Sequence, residues 1–120
     1  MHYSILIFES GDGFALRNAE QGSAEYWSGV QHYLQALRHS GLFVAGAGLE
    51  PPEQAKSVRV EGARHVVQDG PYADVKEQLG GLFIIDVPSM SDALDWARRF
   101  PHRPGQIVEV RPNLREDGSA

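Results

Sequence analysis

His65 and Asp69 are the side chains whose types most directly suggest chemistry, because an imidazole oriented by a carboxylate has a pKa suited to proton transfer near neutrality. Spacing limits that reading. Four residues of extended strand cover roughly 13 Å, so the two meet only if the turn at Asp69-Gly70-Pro71 folds back; otherwise Asp69 braces the turn itself. Tyr72 can donate a proton or line an aromatic pocket, and Lys76 can hold a carboxylate or phenolate. The plainer alternative is a packed tyrosine beside a solvated Lys76–Glu77 pair. Asp86 lies in an apolar run, Leu82 to Val87, where a carboxylate meets a partner, titrates upward or faces a wet cavity. An arginine such as Arg111 or Arg59 is the expected partner.

These groups need a scaffold, and hydrophobic periodicity supplies one. Residues 2 to 8, HYSILIF, are aromatic and β-branched with apolar residues on both alternating faces, which predicts a strand covered on both sides. Residues 9 to 22, rich in Gly, Glu, Asp and Asn, predict a mobile loop. From Ser23 the spacing turns helical through Tyr26, Trp27, Val30, Tyr33, Leu34 and Leu37, and Gly41 follows as a stop. His32 and His39 fall on its polar side seven residues apart, a spacing that suits solvated histidines better than a metal pair.

A second strand runs from Leu42 to Leu49, where Gly46 and Gly48 permit a bulge, line a pocket or let a helix pack closely; close packing is the preferred reading. Ser57 to Glu61 and Arg64 to Gln68 form a hairpin turning at Gly62-Ala63. Asp69-Gly70-Pro71 reverses the chain, since Pro71 fixes its own φ and biases Gly70 away from the helical region. Leu82 to Val87 is a further strand, and Ser89 caps a second helix with Asp92 reaching back. Pro101 ends that helix, Gln106 to Arg111 forms the last strand, and residues 113 to 120 read as a flexible C-terminal tail. The order is strand, helix, strand, an inserted hairpin, strand, helix, strand, which places two helices on one face of an antiparallel sheet, a ferredoxin-like α+β plan with an inserted β-hairpin in a single domain of residues 1 to 112. Its helix-free face expects a second sheet.

Composition excludes several classes. With 11 Lys and Arg against 16 Asp and Glu, the net charge of −5 argues against a nucleic-acid partner. Arg98-Arg99 with Arg103 is the one basic cluster, and the preferred account is complementarity to a helix C-terminus. No cysteine is present, which removes disulfides, thiol catalysis and thiolate metal sites. No stretch approaches a membrane span, and the start does not read as a signal peptide, so a cytoplasmic protein is expected.

The Asp69-Gly70-Pro71-Tyr72 turn followed by Lys76-Glu77-Gln78-Leu79-Gly80-Gly81 resembles the YCII-related superfamily, in the branch named for its Asp-Gly-Pro-Phe motif. The likeness extends through Asp86-Val87-Pro88, Ala93 to Ala97 and Val108 to Pro112, with Tyr72 replacing the motif's Phe and a glycine-containing insert at Gly11 to Gly22. The resemblance implies a homodimer in which two sheets stack into an α+β barrel. It implies a histidine–aspartate active site, for which His65, His32 and His2 are the candidate histidines. The expected function is small-molecule binding, either as an enzyme acting by acid–base chemistry on a small cyclic or aromatic acid or as a non-catalytic regulatory module. Proteins resembling this branch are often encoded beside extracytoplasmic-function sigma factors, which makes such a factor the expected partner of the regulatory form. For the enzyme, Asp69, His65 and Tyr72 are the catalytic candidates; Lys76, Gly70, Pro71 and Asp86 are the ligand-binding ones. Neither a cofactor nor a metal is expected.

Overall fold

The computed structural model describes residues 1–17 and 23–115. Strands β1 (His2–Glu9), β2 (Phe43–Gly48), β5 (Gln78–Asp86) and β6 (Ile107–Pro112) form one antiparallel sheet in the order β2-β5-β1-β6. Strands β3 (Lys56–Glu61) and β4 (Arg64–Asp69) form a separate two-stranded sheet. The helices are α1 (Gly11–Leu16), α2 (Ser23–His39) and α3 (Met90–Arg99). The chain is therefore α+β. Among the described residues, no helix is long and apolar enough to cross a membrane.

Alternation along β1 decides where the core lies. Tyr3, Ile5, Ile7 and Glu9 point to the helix-covered face and are buried, whereas Ser4, Leu6 and Phe8 point the other way and are half-buried. Opposite them, Phe83 and Ile85 join the covered face, and α2 and α3 close it with Tyr33, Leu37, Ala93 and Phe100. Tyr33 anchors this core: its ring meets Phe83, Trp96 and Phe100 edge-on at centroid distances of 5.6, 5.9 and 5.3 Å, and its hydroxyl donates to Trp96 O at 2.6 Å. Burial pushes that phenol well above its ordinary range.

Helix ends follow their capping chemistry. Gly41 leaves α2 at φ 73°, with Leu42 N donating to Leu37 O at 3.1 Å. Ser89 caps α3, its hydroxyl donating to Asp92 Oδ2 at 2.7 Å while Asp92 N returns a bond at 3.3 Å.

Three expectations need correction. The stretch read as a mobile loop carries α1, because Ser10 accepts from Gly13 N at 3.2 Å and Phe14 is buried; tertiary burial outweighs two poor helix formers, Gly11 and Gly13. Residues 18–22 of the same stretch lie outside the described residues. The bulge in β2 falls between Phe43 and Ala45, at Val44, and not at the glycines. The expected tail begins tied down: Asn113 N donates to His2 O at 2.9 Å and Asn113 Oδ1 accepts from Ser4 Oγ. Residues 116–120 lie outside the description.

Candidate functional site

The β3–β4 hairpin carries most of the residues singled out from the sequence. Asp69 faces Lys56 across the hairpin and accepts from its Nζ at 2.6 Å, with its side chain 88% exposed. Gly70 turns at φ 91°, its N–H bonding Ala55 O at 2.7 Å and its carbonyl accepting from Ser57 Oγ at 2.8 Å. His65, opposite Val60, lies on the same strand as Asp69, so the intervening residues hold the two roughly 13 Å apart. Beyond Gly70 and Pro71, Tyr72 and Lys76 are exposed, and the loop is closed by Gln78 Nε2 donating to Ala73 O at 2.7 Å. His32 and His39 are exposed on α2.

Asp86 has a different partner from the arginine expected. Register places His2 opposite it, so the Met1 amino group reaches Asp86 Oδ1 at 3.0 Å and His2 Nε2 lies 3.9 Å from Oδ2. The two candidate arginines are engaged two residues away on their own strands, Arg111 with Glu109 and Arg59 with Glu61. The hydrogen bond from the amino group, and then its charge, hold the Asp86 carboxyl below the usual aspartate range.

Sequence reasoning missed the densest polar constellation, which is buried at the far end of β1. Glu9 is 3% exposed, and its Oε1 accepts from Arg103 Nη2 and, at 2.9 Å, from Gln106 Nε2. Arg17 Nε lies 3.9 Å from the other carboxylate oxygen. Arg103 also donates to Gly13 O at 3.2 Å and lies 3.9 Å from the Tyr26 ring centroid. Gln106 Nε2 reaches the Tyr26 hydroxyl at 3.1 Å. Arg17 stands between two rings, 5.3 Å from the Phe14 centroid and 5.4 Å from that of Trp27. Two guanidinium groups thus share one carboxylate.

Glycines make room for this cluster. In β5 the register with β1 skips Gly80, since Ile7 pairs with Gly81 and Phe8 with Leu79. A Cβ on Gly80 would stand 3.3 Å from Glu9 Cγ and 3.4 Å from Phe14 Cε1. Gly46 is tighter still, with Phe83 Cβ 2.9 Å from where its own Cβ would be.

Between α2 and the β2–β5 side of the sheet these glycines open a cleft of about 280 Å³. Trp27, Val30, Leu34, Phe43 and Phe83 give it apolar walls, Gly46 and Gly48 line it along β2, and Arg17 and Glu9 stand within its lining. Arg38 lines it as well, its guanidinium 4.7 Å from the Phe43 ring centroid. A smaller cavity of about 130 Å³ lies on the other side, lined by Glu9, Arg103 and Gln106, so Glu9 forms part of the wall between the two. Apolar walls, a few polar groups and enclosure by one helix and a sheet are the attributes of a small-molecule site.

A family model described as the YCII-related domain matches residues 1–115. A stretch of 68 residues is 44% identical to an uncharacterised protein of Rhizobium meliloti (strain 1021), covering 55% of this chain and 55% of that protein. The match spans about half the length of this curated relative.

Proposed function

The chain belongs to the YCII-related family, and we propose that it is a small-molecule-binding protein whose ligand, a small cyclic or aromatic acid, occupies the cleft between α2 and the β2–β5 side of the sheet. One observation carries this reading: a cavity of about 280 Å³ with aromatic and aliphatic walls has a nearly buried guanidinium, that of Arg17, in its lining. An apolar body and an anionic head would each find a counterpart there. Binding is favoured over acid–base catalysis in this cleft, because Glu9 is already engaged by Arg103 and Gln106 and is poorly placed to take a proton from a ligand.

The proposal includes a cytoplasmic homodimer on a ferredoxin-like plan. Its support is the helix-free face of the sheet, where Leu6, Phe8, Leu82 and Ile84 are half-buried and Ile107 is exposed, a composition suited to a second copy of the same face.

A thermal-shift panel of aromatic and alicyclic acids tests the site. A ligand at 100 times its dissociation constant adds about 2.7 kcal/mol of stability. Gly48→Leu should abolish the shift, since Gly48 lines the cleft and its Cβ would meet nothing within 4 Å, leaving the larger side chain free to occupy the ligand's space. Asp69→Asn should leave the shift intact; loss of binding there would move the site to the foot of the hairpin and to the proton-transfer reading of Asp69, His65 and Tyr72. Silence across the panel would overturn the small-acid reading and favour a regulatory module with a protein partner.

A further inference from the structure

Among the described residues the charge count around Glu9 does not balance. Arg17 and Arg103 bring two positive charges to a single carboxylate, all three side chains at least four-fifths buried. Glu9 gives its closer contacts to Arg103 and Gln106, leaving Arg17 at 3.9 Å, an ion-pair separation longer than a hydrogen bond. Among the described residues Arg17 Nη1 is buried without an acceptor. Leaving a buried charged donor unmatched is unfavourable, so such a group in a cleft wall marks a place where an acceptor belongs.

We propose that Arg17 is the anchor for the carboxylate of an aromatic monoacid, with Glu9, Phe14 and Trp27 as the residues that position it. This rests on the cleft being the ligand site and adds the head group and its partner. Guanidinium and carboxylate are matched in shape, and a single negative charge neutralises the surplus. The flanking rings of Phe14 and Trp27 restrict the guanidinium before any ligand arrives, and the Trp27 indole, donating to Arg17 O at 3.0 Å, ties α2 to that backbone. Arg103 Nε is likewise buried without an acceptor among the described residues, but Arg103 is the less suitable anchor, because its Nη2 already donates to Glu9 and Gly13 and it lines the smaller cavity and not the cleft. Arg38 is exposed, so its charge is already solvated.

Calorimetric titration of the full chain with phenylacetate, 3-phenylpropionate and 1-naphthoate, each beside its neutral amide, tests the assignment. The wild-type protein is expected to prefer acid over amide by tenfold or more. Arg17→Gln should abolish the preference, bringing acid and amide to similar affinity, and Arg17→Lys should recover part of it. Equal binding of acid and amide to the wild type would overturn the anchor, and this comparison needs no variant to fold. Retention of the preference in Arg17→Gln would overturn it too. In either case loss of both ligands in Gly48→Leu would leave the cleft reading standing. Binding of none of the six probes would remove the anchor and the cleft together.

Discussion

At the scale of single residues, Glu9 has the largest consequence for so small a group. Replacing it with Gln preserves its shape but leaves two buried guanidinium groups without a compensating charge. Breaking a buried ion pair from one side costs about 3 to 5 kcal/mol, and urea denaturation of Glu9→Gln should show a loss on that scale. Asp86 belongs to the opposite regime. Its carboxyl is held low by the Met1 amino group, so the pair's contribution is complete above the unfolded aspartate value of about 3.9 and is lost as pH falls through the lower folded value. The pair is exposed and open to screening by salt, so the effect is small. The stability difference between the wild type and Asp86→Asn should therefore be present at neutral pH, smaller in high salt, and vanish as pH falls through that window; a difference persisting below the window would contradict this account. How legible each residue was in the sequence follows from its strand position. Glu9 continues the inward series Tyr3, Ile5, Ile7, and ending the first strand at Phe8 hid it. Arg103 reads as an adjunct to Arg98-Arg99, yet it follows Pro101 and therefore answers to a different element.

At the scale of elements, the glycines of β2 and β5 set the cleft. Gly46→Ala would force its Cβ to 2.9 Å from Phe83 Cβ and 3.2 Å from Leu82 O, and both neighbours belong to the adjoining strand. Overpacking of this kind costs about 1 to 3 kcal/mol, whereas Gly48→Ala, with open space around it, should be close to neutral. Melting temperatures of the two variants give the comparison directly. The preferred reading of the alternating glycines, close packing of a helix, does not hold, because the neighbours of Gly46 come from β5 and from Phe43 and Gly48 has none within 4 Å; the alternative reading, that they line a pocket, is the one the cleft bears out. The strands, the hairpin turn at Gly62 and the Ser89 cap were all legible, since each rests on local chemistry. Helix α1 was not, because its stability comes from the burial of Phe14 and not from propensity.

For the whole molecule, extents of 46 × 45 × 19 Å describe a slab, and its radius of gyration of 16.2 Å exceeds the about 13 to 14 Å expected of a compact chain this long. One layer of helices on one layer of sheet leaves the other sheet face without cover. If two copies stack there, sedimentation should report a dimer, and Leu82→Asp, introducing a charge on that face, should yield a monomer; a wild-type monomer at micromolar concentration would count against the stacked pair. The uncovered apolar face was legible from the doubly apolar first strand, and the departure of the hairpin from the main sheet was legible from its place as an insertion in the four-stranded order.

That departure divides the chain by how its amides open. Strands β3 and β4 exchange their ladder bonds with each other, so they can fray as a local unit, whereas β1 and β5 lie at the centre of the main sheet and open only when the fold is lost. The boundary between these two tiers of hydrogen-exchange protection falls between Asp69 and Gly80, within one continuous stretch of sequence. Its first half turns the end of the unit that opens cheaply, and its second half sits beneath Glu9 in the unit that opens last.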